Sequence, residues 1–142
     1  MNRFLLLIPV AGMFLCACAS GGPGGVADGR LAACPKSPNC VSSGATDDRH
    51  RIAPIAFTGD PEAALSRLAD IAIAMKGKVA ERKPGYLHAT FSSRVFGFTD
   101  DVEFLADPAA GVIQVRSAAR HGYSDFGVNR KRMEEIRKRF SQ

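Results

Sequence analysis

The sequence has no tryptophan and two tyrosines in 142 residues, and several signatures of chemistry are missing from it. There is no Cys-x-x-Cys pair, which weighs against a zinc knuckle and a redox dithiol. There is no Gly-x-Ser-x-Gly elbow to carry a serine nucleophile. His50, His88 and His121 stand apart, no two at helical ligand spacing, so neither a metal centre nor a cofactor is expected. No polybasic arm is present: nineteen basic residues face fourteen acidic ones, a net charge of +5. That mild excess suits anionic partners and argues against nucleic acid. With 46% apolar and 23% charged residues, the composition fits one compact domain.

The amino terminus reads as an address. Arg3 precedes an apolar run of twelve residues, Phe4 to Leu15, interrupted by Pro9 and Gly12. A spanning helix needs about twenty apolar residues, so this is expected to be a secretory signal and not a permanent anchor. The run leads into Leu15-Cys16-Ala17-Cys18, which resembles the bacterial lipoprotein signal. The resemblance implies cleavage after residue 17, acylation (palmitate among the chains) of Cys18 and attachment to a membrane. Ordinary secretion with cleavage near Ala17 or Ala19 is the alternative. Ala19, where an aspartate would signal inner-membrane retention, points to the outer membrane with the domain facing the periplasm. Residues 18–30 then form the lipidated start and a tether, with glycine at 21, 22, 24, 25 and 29, too rich in backbone freedom to pack. Residues 31–142 are left for a single domain.

Removing Cys16 and acylating Cys18 leaves Cys34 and Cys40, an even pair in an oxidising compartment, expected to form a disulfide. Closing so small a loop is worth about 2 kcal/mol.

Periodicity supplies the fold class. Ile52 to Phe57, carrying Pro54, reads as an edge strand. Asp60-Pro61 supplies a cap and a first-turn proline for a helix whose stripe is Leu65, Leu68, Ala72 and Met75, with Arg67 and Asp70 outward and an end near Gly77. Next, Leu87, Ala89, Phe91, Ser93 and Val95 alternate with His88, Thr90, Ser92 and Arg94. Val102 and Phe104 alternate with Asp101 and Glu103, and after the turn at residues 107–111, Ile113 and Val115 alternate with Gln114 and Arg116. An α+β domain is expected, an antiparallel β-meander with one wet face and the other covered by two helices. The second helix begins after Asp125 and buries Met133, Ile136 and Phe140. Its six basic residues against Glu134 and Glu135 give it a charge of +4, a surface that anionic headgroups would attract.

Two polar constellations stand out. Pairing of the meander brings Arg94, Asp101 and Arg116 together, with Ser92, Glu103 and Gln114 one step along. They read either as solvated cross-strand ion pairs or as a groove whose arginines grip a carboxylate or phosphate. Asp101 and Glu103 also stand as paired carboxylates that the arginines would hold ionised. The loop from Arg116 to Arg130 is dense in hydrogen-bonding side chains, among them Arg120, Tyr123, Asp125 and Arg130. Its Ser124, His121 and Asp125 are neighbours in sequence, which does not establish a catalytic triad. Tyr123 and Phe126 are expected to pack as anchors of the last helix.

Four stretches in order resemble the domain-of-unknown-function 1499 family across residues 31–139: Cys34-Pro-Lys-Ser-Pro-Asn-Cys40-Val-Ser-Ser43, Ser93-Arg94-Val95-Phe96-Gly97-Phe98, Asp100-Asp101-Val102-Glu103-Phe104, and the Arg116–Arg130 loop. Ala119 and His121 depart from the family's usual serine and small apolar residue. The resemblance implies no reaction, cofactor or catalytic residue. The leading expectation is a membrane-attached binding module for an anionic envelope ligand, a partner protein or a membrane surface. A periplasmic hydrolase or modifying enzyme using the Arg120–Arg130 loop and a purely structural envelope component remain as alternatives.

Overall fold

The computed structural model describes residues 22–93, 95 and 97–142; Cys18, the signal segment and Arg94 lie outside them. In chain order the elements are β1 (Val26–Ala27), β2 (Arg30–Leu31), β3 (Cys40–Ser42), β4 (Ile55–Ala56), α1 (Pro61–Ala74), β5 (Lys78–Lys83), β6 (Tyr86–Ser92), β7 (Thr99–Asp107), β8 (Val112–Ala119) and α2 (Val128–Phe140). The first two strands pair as a small hairpin. The rest form a six-stranded antiparallel sheet in the order β3-β8-β7-β6-β5, with β4 sharing the outer edge of β8 with β3. The expected α+β meander is what folds, widened by β5 on one side and β3 and β4 on the other. Among the described residues no helix is long and apolar enough to cross a membrane.

Both helices lie on one face. Asp60 caps α1 by accepting from the N–H groups of Glu62 and Ala63, satisfying donors that the first turn leaves open. Leu65, Leu68 and Ala72 then pack against Leu87, Ala89, Val102 and Phe104, which the strands present from alternate positions. The helix stops at Met75, and Gly77 allows the chain to pass Phe91. A Cβ at Gly77 would stand 2.7 Å from that ring and 2.9 Å from the Ala72 carbonyl oxygen. Met133 and Ile136 of α2 complete the core over β8 and β3.

The arginines of α2 do structural work. Arg130 donates to the carbonyls of Arg49 and Arg51, and Arg137 to those of Ala53 and Pro54. Two of the six basic residues expected to face an anionic surface therefore hold the connection between β3 and β4.

The opposite face of the sheet is not the wet surface that alternation suggests. His88, Asp101, Glu103 and Arg116 are all buried; β2 packs across β7 and β8, the residues before it reach Glu103 and Arg116, and Arg120 closes on Asp101. The glycine-rich stretch expected to be slack supplies this cover from Gly24 onward. Glycine is required within this cover itself: a Cβ at Gly24 would lie 2.3 Å from the Ala32 Cβ, closer than packed atoms allow, and tightly, at 3.3 Å, against the Arg116 guanidinium carbon.

Candidate functional site

The covered face is a buried polar network in which Arg116 Nε, among the described residues, finds no hydrogen-bond partner. Glu103, 0% exposed, accepts from the Gly24 N–H at 3.1 Å, the Gly25 N–H at 2.7 Å, the Tyr86 hydroxyl at 2.8 Å and Arg116 Nη1 at 2.9 Å. Four donors on two carboxylate oxygens replace the water that burial removed. Burial raises the Tyr86 pKa, and the Glu103 hydrogen bond and charge push it further in the same direction, so the phenol stays protonated. One step along the strands, Asp101 accepts both Arg120 Nε and Nη2 at 2.8 Å and His88 Nε2 at 2.7 Å. Burial is the largest single influence on Asp101 and would raise its pKa. The hydrogen bonds and charges of Arg120 and His88 together outweigh burial and hold the carboxyl below its ordinary value.

The other region is an apolar groove of about 600 Å³ at the end of the sheet, between the α1 C-terminus and the α2 N-terminus. Met75, Phe91, Phe98, Ala119, Phe126 and Val128 line it, and Arg132 crosses its floor. Arg132 lies 4.7 Å from the Phe91 ring centre and donates to Asp100 at 2.7 Å and to Asn129. Around the mouth, large hydrophobic side chains stand in water: Phe126 is 90% exposed, Val95 81%, Tyr123 71% and Phe98 51%. The expectation that Tyr123 and Phe126 pack as anchors is thus overturned. Sequence hydropathy reports the preference of a side chain but not whether a surface faces it.

The loop that carries Phe126 is held from behind. The Phe126 N–H donates to Ser124 Oγ, and the Asp125 carboxylate accepts from Gly127 N–H, Asn129 N–H and Asn129 Nδ2. Phe126 sits at φ 53°, followed by Gly127 at φ 78°. For a bulky residue the left-handed region costs about 1–3 kcal/mol and persists only where the surroundings impose it. Asn39 Nδ2 reaches the Gly122 carbonyl at 2.6 Å, and the fully buried Asn129 also takes the Ser117 hydroxyl and reaches the Asn39 carbonyl. Next to Asn39, Cys34 and Cys40 stand at disulfide geometry, their Cα atoms 5.7 Å apart.

These contacts redistribute the residues named from sequence. Asp101 meets Arg120 and His88, whereas Arg116 meets Glu103. Arg130 grips backbone, Asp125 holds the start of α2, and Tyr123 is exposed. Arg94 lies outside the described residues. No hydrogen bond among the described residues joins Ser124, His121 and Asp125 as a triad; the Asp125 oxygens serve the helix start. No group of three metal-ligating side chains occurs among the described residues. The groove, Tyr86 and the Gly24-Gly25 amides were absent from the sequence reading, although the run of glycines carried a signal of close backbone approach.

A family model described as a protein of unknown function, DUF1499, matches residues 30–140. The chain belongs to the DUF1499 family. No curated protein and no solved structure matches it. In this DUF1499 domain the stretches that carried the resemblance converge. Cys34–Ser43 supports the loop through Asn39, Asp100–Phe104 supplies the carboxylates of the network and the partner of Arg132, and Phe98 and the Arg116–Arg130 loop form the groove mouth. The family description carries no activity.

Proposed function

We propose that this DUF1499 chain is an envelope lipoprotein, acylated at Cys18 and facing the periplasm from the outer membrane, and that its domain works by binding an elongated apolar group such as an acyl chain. The observation that carries the reading is the groove between β6, β7 and the two helix ends, open to solvent and apolar along most of its wall. Ligand sites of about 300–1,000 Å³ with apolar walls and few polar groups are the common form for small-molecule binding. Of the polar side chains that line the groove, Asp100, Asp125 and Arg132 are committed to one another or to the backbone, while Lys76, His121 and Ser124 line it as well.

An anionic ligand held by arginines has less support. Arg116 and Arg120 are each drawn to a buried carboxylate and Arg130 to backbone carbonyls, and a buried guanidinium released from its carboxylate would leave an unpaired charge.

A fluorescent fatty acid tests the reading. It should bind the mature protein saturably, and Ala119→Trp, which fills the groove from β8, should weaken binding at least tenfold while the far-ultraviolet circular dichroism is unchanged. Binding that ignores Ala119→Trp removes the groove as the site. Mass spectrometry of the mature protein should find acyl chains on Cys18. Turnover of an envelope ester that Ser124→Ala abolishes would favour the hydrolase alternative.

A further inference from the structure

We propose that the groove end of the domain docks into the interfacial layer of a lipid bilayer, inserting Phe98, Tyr123 and Phe126 from two loops and Val128 from the start of α2; the inference rests on the reading of Cys18 as the acylated residue. Single exposed hydrophobic residues are ordinary, but a cluster of large ones around one apolar groove marks an interaction surface. The cluster is built, since Phe126 is held in the left-handed region by the Ser124 and Asp125 hydrogen bonds and its loop is fixed from behind by Asn39. A ring that stands 90% in water on a rigid support is set to enter something.

The chain's own dimensions select a bilayer as the occupant. Glu103 fixes Gly24 to the covered face of the sheet, and Gly24 is six steps along the chain from Cys18. At about 3.5 Å per residue that leash reaches roughly 20 Å. From Glu103 to Thr99, where β7 meets the groove end, is four residues, about 13 Å of strand. An acylated Cys18 therefore keeps a bilayer within reach of either end of β7, a tethered surface is engaged at high effective concentration, and the exposed rings single out the groove end. Tyrosine with neighbouring apolar groups suits the headgroup boundary, where one end of the ring is wet and the rest is not. Charge contributes little: Arg132 and Arg120 are neutralised in place by Asp100 and Asp101, which leaves Lys76 as the one lysine or arginine lining the groove without an ion pair among the described residues. Docking should therefore resist salt.

Because the sequence lacks tryptophan, Phe126→Trp gives a single reporter. The full mature protein is placed in phosphatidylethanolamine–phosphatidylglycerol vesicles containing lipids brominated on the acyl chains. Phe126→Trp should be quenched several-fold more than Ala109→Trp, which reports from the β7–β8 turn at the far end of the meander, and equally so in low and high salt. Equal quenching of the two reporters, or quenching of Phe126→Trp that salt abolishes, overturns the proposal. So does a mature protein whose mass shows no acyl chains. If the fluorescent fatty acid still binds while Phe126→Trp stays unquenched, docking fails and the groove remains a ligand site.

Discussion

Beneath the β1–β2 hairpin, charged groups are shut away from water; at the end of the same strands, aromatic rings stand in it. Glu103 and Asp101 are nearly inaccessible while Phe126 is almost wholly and Tyr123 largely exposed. At these two places hydrogen bonding decided burial more than hydropathy did, although hydropathy built the core between the sheet and the helices. Glu103 went inside because four donors converge on it. Phe126 stayed outside because polar contacts of its neighbours had already fixed the loop.

The strongest way to break the comparison is to open the covered side. Glu103→Ala leaves Arg116 buried without its counter-charge and frees the Gly24 and Gly25 amides, and should cost about 3–5 kcal/mol in urea unfolding. Combining Glu103→Met with Arg116→Met should recover much of the loss, because the pair is then removed together. If Glu103→Ala changes stability by less than the scatter of the fit, the network is ornamental.

A smaller effect comes from acid. Asp101 has a lower pKa folded than unfolded, so it binds its proton less readily in the native state. Its stabilisation is complete above the ordinary value of about 4 and disappears as pH falls through the folded value. Urea midpoints measured from neutral pH downward should decline below about pH 4, and Asp101→Asn should make that decline shallower. An unchanged acid limb would show that Asp101 is not a linked group.

The smallest effect sharpens the contrast. Phe126→Gly relieves the left-handed strain and should leave the fold equally stable or up to about 1 kcal/mol more stable. The same variant should lose fatty-acid binding. A residue whose removal helps the fold and harms binding is one kept for its surface.

Much of the fold was legible because alternation and helical spacing report where a side chain points. The stripe of Leu65, Leu68 and Ala72, the strands around Leu87, Val102 and Ile113, and the cap at Asp60 all follow from local pattern. What covers a face is not local. His88, Asp101, Glu103 and Arg116 read as a solvated surface since their cover comes from residues 24–31, nearly eighty positions from Glu103. That cover binds through backbone amides, which have no side-chain signature. Tyr123 and Phe126 were misplaced for the converse reason, as nothing packs over their loop. Asp125 was readable as the start of α2, though it acts across Gly127, which occupies the cap position itself.

The family match begins at residue 30, while the amides that seal Glu103 belong to residues 24 and 25. A recombinant fragment trimmed to the family's borders would discard the lid and leave a raw carboxylate–guanidinium seam along the sheet. Such a fragment should be prone to self-association, and affinity tags are better fused at the carboxyl end.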